Sequence, residues 1–396
     1  MTRRPTLPPA VLSAGTVRLL ALLIGLAAGC SAPEPVVEYA PYSGPPAYPD
    51  RRPKLPAGSF AYVGNRGSDS ITVLDPRTLQ IVAEVPIGRD PVSIDAPVGL
   101  AVEATGVVFA TLAFPFPSPL PGPHARHASP LRWGYVQRLA ADDLRRIGEV
   151  QIPPNAARMA LRDTTIAVTH LELARALDPR LPPDEQRGPL SILDASTLSV
   201  RQVSVCRAPN GVAFGPDART VFVACQADDA VAVLDTRANG PRAMLPLGCK
   251  APTALEASPS GKLLSVACGA PRETRLVDTQ AEVVAAAGFA VEGTPFAPAW
   301  SGDEARIWIP TQTPDALLAF DVATRTVSRR RAFDAASCLR PGHASLAPDG
   351  ATLYVVCEGD HVGPGQVLAL DPATLETRSA RPVGVNPDRL VFRRSP

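Results

Sequence analysis

A motif of two apolar runs joined by a turn recurs along most of the chain, and this repetition constrains the fold more than any other feature. The first run of each copy ends in aspartate. These first runs end at Asp75, Asp194, Asp235, Asp278, Asp321 and Asp371. In a degenerate copy, Ala140 takes the place of the aspartate. An aspartate at the end of a strand can accept hydrogen bonds from backbone N–H groups further along, so we assign it a structural role in the turn. A unit of roughly forty residues is typical of solenoids and propellers.

A second pair of apolar runs precedes each aspartate, with a Pro/Asp/Gly turn between them. A proline precedes the first of these runs at Pro154, Pro209, Pro252, Pro295 and Pro341. The second run ends at the same number of residues after each of these prolines, at His170, Cys225, Cys268, Thr311 and Cys357. Each unit therefore holds four short antiparallel strands, which is typical of a propeller blade and excludes a helix pair.

The two ends of the repeat region complement each other. The first unit begins at Gly58 without a first strand, and the chain ends with "VGVNPDRLVF", a first strand with nothing after it. Joining them leaves no exposed sheet edge. The sequence therefore predicts an all-β fold over residues 58–396: a seven-bladed β-propeller of four-stranded antiparallel blades, closed by the C-terminal strand completing blade one.

The stretch "YVGNRGSDSITVLDPRTLQIVAEVPIGRDP" resembles the repeat of the YVTN family of bacterial surface and periplasmic seven-bladed β-propellers. Tyr62, Val63, Gly64 and Asn65 stand where that family carries Tyr, Val, Thr and Asn. The resemblance covers essentially everything after Gly58. It implies the fold and an extracytoplasmic location, and it supplies no catalytic residue, because a shared fold does not fix a chemistry.

Residues 1–29 are predicted to be a signal peptide, with Arg3, Arg4 and Arg18 before or beside an apolar run too short to span a bilayer. The run ends in "LAAGC", which resembles the lipobox of bacterial lipoproteins and implies lipidation at Cys30. An ordinary cleaved secretory signal or a short anchor is the alternative. Residues 30–57 are rich in proline and are predicted to be an extended tether. The mature chain is thus expected outside the cytoplasm, lipid-anchored to the bacterial membrane.

The cysteines after Cys30 form three pairs with one spacing, and the midpoint of each pair falls beside a turn proline. Residues equidistant from a hairpin turn face each other within disulfide range. The predicted bonds are Cys206–Cys225, Cys249–Cys268 and Cys338–Cys357, each within the innermost hairpin of a blade. Metal or redox chemistry is the alternative, but no Cys-x-x-Cys or zinc spacing is present.

Connections in a propeller alternate between two faces. We name the face that carries the loop into each first strand and out of each second strand the long-loop face, because blades two, three and seven have their longer loops there. The other is the short-turn face. All five histidines fall on the long-loop face, which suggests either a metal or anionic-ligand site or merely polar loops. The candidate ligands are His343, His361, Asp360, His170, His124 and His127.

The residues after the seven equivalent prolines are predicted to line the central channel. They are Val98, Asn155, Asn210, Thr253, Phe296, Gly342 and Asp388. With one carboxylate among them, this lining disfavours a channel metal, which needs several converging oxygen or imidazole ligands. Asn155, Asn210, Asp388 and Trp133 are candidate ligand contacts, whereas Trp300 and Trp308 are expected to pack between blades.

The leading functional hypothesis is a membrane-tethered binding or scaffold propeller that recognises a protein, glycan or envelope component through the long-loop face. The alternatives are an enzyme similar to propeller lactonases or to propeller subunits of amine dehydrogenases, acting around His343 and Asp388, and a metal-binding protein. No cofactor is predicted. The net charge of +1 from 39 basic and 38 acidic residues argues against a nucleic-acid partner.

Overall fold

The computed structural model describes residues 52–89, 94–114, 133–284 and 288–393. Within these ranges the strands form seven antiparallel sheets, which confirms the seven-bladed β-propeller. The single helix of the described part is a four-residue turn, α1 (Leu173–Ala176). No helix in these ranges is long and apolar enough to cross a bilayer. The predicted signal peptide, Cys30 and most of the tether lie outside the described residues.

Each blade is a four-stranded meander, with the innermost strand beside the channel. Blade one contains β1 (Phe60–Asn65), β2 (Ser70–Leu74) and β3 (Ile81–Pro86), and the C-terminal strand described below. Blade two contains β4 (Pro97–Val102), β5 (Val108–Leu112), β6 (Gly134–Leu139) and β7 (Arg146–Ile152). Blade three contains β8 (Ala156–Arg162), β9 (Thr165–His170), β10 (Arg187–Asp194) and β11 (Val200–Arg207). Blade four contains β12 (Pro209–Phe214), β13 (Thr220–Cys225), β14 (Ala230–Asp235) and β15 (Ala243–Pro246).

The remaining blades include two strands that are split into short segments. Blade five contains β16 (Lys250–Ala257), β17 (Leu263–Ala270), β18 (Glu273–Asp278), β19 (Val283–Val284) and β20 (Phe289–Ala290). Blade six contains β21 (Thr294–Pro295), β22 (Ala299–Trp300), β23 (Arg306–Gln312), β24 (Ala316–Asp321) and β25 (Thr326–Ala332). Blade seven contains β26 (Pro341–Leu346), β27 (Leu353–Cys357), β28 (Pro364–Leu370) and β29 (Thr377–Val385).

The last strand, β30 (Pro387–Arg393), is the innermost strand of blade one. It pairs antiparallel with β1, with Leu390 opposite Val63 and Pro387 opposite Asn65. Innermost strands of neighbouring blades contact each other at six of the seven interfaces, and β17 and β18 contact β21 at the interface between blades five and six, so contacts between blades run around a complete circuit. The predicted closure of the ring by the C-terminal strand is therefore confirmed.

The hydrophobic core consists of layers between successive blades. One cluster joins blades one and two, around Tyr62 and Leu112, and equivalent clusters fill the other six interfaces. Inner strands are covered on both faces, so every residue of β1 is buried, whereas β25 on the rim is almost entirely exposed. Burial on both faces explains why the inner strands read as continuous apolar runs instead of alternating patterns.

The repeated aspartates have the structural role that the sequence predicts. Asp371, for example, accepts the N–H groups of Ala373 at 2.8 Å and Thr374 at 2.9 Å, and so shapes the turn between β28 and β29. Hydrogen bonds from the Ser196 hydroxyl and the Thr197 N–H lower the pKa of Asp194 to about 2. In blade two, which has Ala140 at this place, Asp143 accepts the N–H of Arg145 at 2.9 Å instead.

The register of blade three differs from the prediction. His170 pairs with Ala156, two residues beyond Pro154, because the β8–β9 turn is shorter than the turn of blade four, where Cys225 pairs with Pro209. Ala156 therefore begins the innermost strand, and Ala157 takes the channel position that was predicted for Asn155. Counting from the proline failed here because it assumed turns of equal length.

The three disulfides join the predicted cysteines, with Cα–Cα distances of 5.8, 6.1 and 5.3 Å in chain order. Their predicted placement within one hairpin is wrong. The partner of Cys225 in the hairpin ladder is Pro209, and Cys206 lies before that strand, on β11 of blade three. Cys249 and Cys338 likewise precede the innermost strands of blades five and seven. Each bond therefore ties the connection between two blades to the second strand of the later blade.

Candidate functional site

The mouth of the channel on the long-loop face is built from one repeated backbone arrangement. In each blade, one residue of the second strand pairs with the proline at the head of the innermost strand, or with Ala156 in blade three. We name the set of residues immediately after these second-strand partners the mouth ring. Its members, from blade one to blade seven, are Arg66, Ala113, Leu171, Gln226, Gly269, Gln312 and Glu358. In five blades the N–H of this residue donates to the carbonyl of the residue before the innermost strand, at 2.9–3.1 Å. The mouth ring is therefore fixed by the backbone, and its side chains vary freely.

In six blades the residue just before this proline, or before Ala156 in blade three, adopts the left-handed conformation, although none of these residues is glycine. Their φ values lie between 50° and 56° at Ala96, Asn155, Ala208, Ala251, Arg340 and Asn386. Non-glycine residues rarely occupy this region, and they do so where the surroundings hold them. This repeated bend turns the chain from the long-loop face into the channel wall.

A second ring lies just inside the mouth. It consists of the residues that follow these prolines, and Ala156 in blade three: Asp388, Val98, Ala157, Asn210, Thr253, Phe296 and Gly342. The two rings contact each other within a blade, since Asn210 Nδ2 donates to Gln226 Oε1 at 3.0 Å. In blade seven, a Cβ on Gly342 would collide with the Glu358 carboxylate, so a larger residue there would displace this carboxylate from its position.

Two ion pairs connect blades that are not neighbours. Arg158 of blade three pairs with Asp388 of blade one at 3.3 Å, and Arg389 of blade one pairs with Glu256 of blade five at 2.8 Å. All four side chains are largely buried. Because blades one and five lie apart on the ring, the Arg389–Glu256 pair bridges the channel.

Glu358 is the acidic member of the mouth ring, and both of its carboxylate oxygens are engaged. His361 Nε2 lies 2.9 Å from Oε2, and Gln312 Nε2 donates to Oε1 at 3.3 Å. The His361 side chain is fully buried. The Glu358 carboxylate is therefore held by the imidazole of His361 and the neutral amide of Gln312, and not, among the described residues, by an arginine or a lysine.

His343 lies deeper, on β26, at the position equivalent to those of Arg158 and Arg389. Its Nδ1 accepts the N–H of Leu390 at 3.3 Å, so Nε2 carries the proton of the neutral ring. Burial, and then the charges of Arg389 and Arg158, lower the pKa of His343 well below its usual value. A neutral imidazole whose free nitrogen is already protonated cannot act as a general base.

His170 is a structural residue of blade three. Its Nδ1 donates to the carbonyl of Pro154 at 3.0 Å, and its Nε2 accepts from the Ser191 hydroxyl at 2.9 Å. Burial is the main reason that the pKa of His170 falls to about 4. With both nitrogens occupied and no exposed surface, His170 has no free ligand atom for a metal.

We expect His170 to make folding stability depend on pH. Between its unfolded pKa near 6.5 and about 4, the unfolded chain binds a proton on this imidazole that the folded chain does not. The free energy of unfolding therefore falls as the pH falls through this window. Urea titrations at pH 7.5 and pH 5 should show a smaller loss of stability in His170→Asn than in the wild type. Equal losses in the two proteins would contradict this assignment.

The other candidate metal ligands do not converge within the described residues. Asp360 accepts the N–H groups of Val362 and Gly363 in a loop, away from the buried ring of His361. Two close groups of potential ligand atoms occur in the described part of the chain, and both contain disulfide cysteines, with Asp228 or Glu273. His124 and His127 lie outside the described residues, so a site that includes them stays a prediction.

The remaining candidate contacts have different environments. Trp133 is 41% exposed at the edge of the blade-two insertion, whereas Asn210 is largely buried. Asn155 serves as the left-handed residue before β8 and is not part of the channel wall. Trp300 and Trp308 pack between blades as predicted: their indole N–H groups donate to Ser265 in blade five and to the Pro372 carbonyl in blade seven.

Sequence reasoning missed most charged residues of the channel. Only Asp388 was recognised, because the channel was counted from one residue after each proline. Glu256 lies further along its strand, and Arg66 and Glu358 lie at the ends of second strands. Aligning blade one through its C-terminal strand would have placed Arg66 above Asp388, in the position of Glu358 in blade seven.

The exposed large hydrophobic residues of the described chain fall into two groups. Five lie on outermost strands of blades: Ile81, Ile147, Met244, Val283 and Val327. The other three lie on long-loop-face loops of blades two, three and seven: Trp133 (41% exposed), Leu177 (55%) and Val362 (69%). We name these three residues the apolar rim. All three lie on the same face of the propeller as the polar mouth.

No protein-family model matches the chain. No curated protein sequence matches it either. Among solved structures, it is similar to a functionally unknown protein from Desulfotomaculum acetoxidans, with a TM-score of 0.64 and 12% identity over 85% of this chain and 99% of that one. A putative 6-phosphogluconolactonase from Bacteroides uniformis gives 0.62 and 13%, over 85% and 100% of the two chains. Apo AztD from Citrobacter koseri gives 0.56 and 13%, over 85% and 98%. At these identities the likeness shows one thing, the seven-bladed β-propeller fold.

Proposed function

We propose that this protein is an extracytoplasmic binding propeller of the YVTN type, held at the membrane by a lipid on Cys30, which recognises a protein or another envelope component through the long-loop face. The observation that carries the proposal is the apolar rim beside a polar mouth. Exposed aromatic and aliphatic side chains next to convergent polar groups are typical of recognition surfaces. Among the described residues, the exposed large hydrophobic side chains near the short-turn face lie on outermost strands, whereas those of the long-loop face lie on its loops.

The three disulfides support the proposed location. Structural disulfides form in oxidising compartments and are rare in the cytosol of mesophiles. All six cysteines are buried and bonded, which fits a stabilising role.

Photo-crosslinking in the native envelope tests this function. A photoreactive amino acid replaces Leu177 or Val362 on the rim, and Ala323 or Ala373, which are exposed on the short-turn face, in matched controls. We expect one discrete crosslinked product from both rim positions and none from the controls. Equal crosslinking on the two faces, or none on the rim, would refute recognition through the long-loop face.

An enzyme remains the alternative function, since one similar structure is that of a putative 6-phosphogluconolactonase. The geometry favours binding over catalysis. Asp388 is neutralised by Arg158, and the only unengaged nitrogen of His343 already carries a proton. Neither of the residues considered for catalysis is therefore in the state that a general base requires.

A further inference from the structure

The mouth ring contains a cation, Arg66, that forms no ion pair with any residue that the structure describes. Arg66 lies at the end of β1, where its backbone N–H donates to the carbonyl of Asn386 at 3.0 Å. Its Nε is buried and has no hydrogen-bond partner, and its guanidinium forms no ion pair with any described residue. Burial without a bound anion lowers the pKa of Arg66, although the nearby Asp388 partly offsets this effect. Arginine stays charged in proteins, so its unmet donors are costly.

The two carboxylates near Arg66 are bound to other groups. Asp388 is paired with Arg158, and Glu358 is held by His361 and Gln312. Both carboxylates affect Arg66 through space without contacting it. The half-buried guanidinium thus lies near two carboxylates without an ion pair to any described residue, and its Nε donor is unused.

We propose that Arg66, with Arg158 beside it, binds an oxyanion: the carboxylate or phosphate group of a ligand that enters the channel mouth. A guanidinium offers a planar fork of N–H donors that matches either group and binds it bidentately. The Arg389–Glu256 pair bridges the channel deeper inside, so the ligand stops at the mouth. This inference deepens the proposed function and rests on it in one respect, the use of the long-loop face.

Asp388 competes with the ligand for Arg158. An incoming oxyanion takes over the Arg158 donors that Asp388 now holds at 3.3 Å, or shares them. Removing the charge of Asp388 should therefore strengthen oxyanion binding, whereas removing the charge of Arg66 should weaken it. Opposite effects of two substitutions in the same mouth are not expected if both residues serve only to stabilise the fold.

Isothermal titration calorimetry of the full mature chain with sodium acetate and with inorganic phosphate, at constant ionic strength, tests the proposal. We expect the wild type to bind at least one of them, and the preferred anion identifies the ligand group as carboxylate or phosphate. Arg66→Gln should weaken binding by at least about tenfold, because two charge-assisted hydrogen bonds are lost. Arg237→Gln, the same change on the exposed short-turn face, should leave the affinity unchanged.

Two further variants keep the test decisive. Asp388→Asn should bind the preferred anion several-fold more tightly, and Arg66→Lys, which keeps the charge and loses the fork, should bind with intermediate affinity. The proposal is overturned if the folded wild type binds neither anion, or if folded Arg66→Gln binds as well as the wild type. If Arg66→Gln does not fold, an unchanged affinity in Asp388→Asn overturns it.

The rim crosslinks separate this proposal from the proposed function. Crosslinks from Leu177 and Val362 without any anion binding would remove the oxyanion site and leave the binding propeller. Anion binding that depends on Arg66, without any rim crosslink, would support the site and remove recognition through the rim.

Discussion

A chain that ends at Val385, and so lacks β30, is expected to lose its cooperative folding transition altogether. Without β30, β1 keeps its pairing with β2 but loses its partner on the channel side and becomes an exposed edge. Leu390, which belongs to the cluster between blades seven and one, is lost with it. The truncation also removes one member of each ion pair that crosses between distant blades. Arg158 and Glu256 would then be left buried and unpaired, which is strongly destabilising.

Circular dichroism melts and size-exclusion chromatography measure this effect. The truncated chain should show no sharp melting transition and should elute as expanded or aggregated material. A chain that lacks only residues 394–396 is the matched control and should melt like the wild type. Adding a peptide of residues 386–396 should restore a transition to the truncated chain. A sharp transition close to that of the wild type in the truncated chain alone would show that ring closure is dispensable.

The architecture follows from short-range patterns that the repeat multiplies. Six of the seven blades carry the turn aspartate, and most share one strand spacing, so the pattern of the majority identifies a blade whose own pattern is degenerate. Even the closure was predictable, because a propeller cannot leave the first strand of blade one missing and the last strand of the chain unpaired. Long-range strand pairing is ordinarily the hardest feature to predict from a sequence. Here the repeat made the pairing of β1 with β30 predictable.

The errors arose where one blade departs from its neighbours. Asn155 was placed on the channel wall because the blade-three turn was assumed to be as long as the others. The cysteine pairs were right and their location was wrong, since equal distances from a proline do not fix the ladder register. The true partner of Cys225 is Pro209, so Cys206 falls outside the hairpin.

The mouth charges could not be predicted for a different reason. Their partners come from blades far apart in sequence: Arg158 and Asp388 are separated by 230 residues. These residues occupy positions whose residue type differs from blade to blade, so the repeat pattern does not predict a charge there. Only the geometry of the ring shows that the arginine of one blade faces the carboxylate of another, and that Arg66 pairs with no carboxylate in the described part of the chain.

Replacing the disulfide cysteines removes no strand, unlike the truncation of β30. Among such changes, we expect it to cause the largest loss of stability. Each bond closes a loop with a sequence separation of 19, which corresponds to about 3 kcal/mol in the chain-entropy model. The effects should add approximately when the bonds are far apart, as for the pair Cys206–Cys225 and the pair Cys338–Cys357. Urea denaturation of the Cys→Ala pair variants measures this loss. Reductant should lower the midpoint of the wild type and leave that of the variant lacking all three bonds unchanged.

The location of the bonds adds a sharper expectation. Because Cys206 lies on β11 of blade three and Cys225 on β13 of blade four, their bond couples two blades. Hydrogen exchange of the Cys206→Ala/Cys225→Ala variant should therefore show faster opening in both blades three and four, with little change in blade one, which contains no disulfide. Faster exchange confined to blade four would mean that the bond acts as a staple of one hairpin. In a ring whose stability depends on interfaces between neighbours, a bond across an interface resists the separation of blades that must precede unfolding.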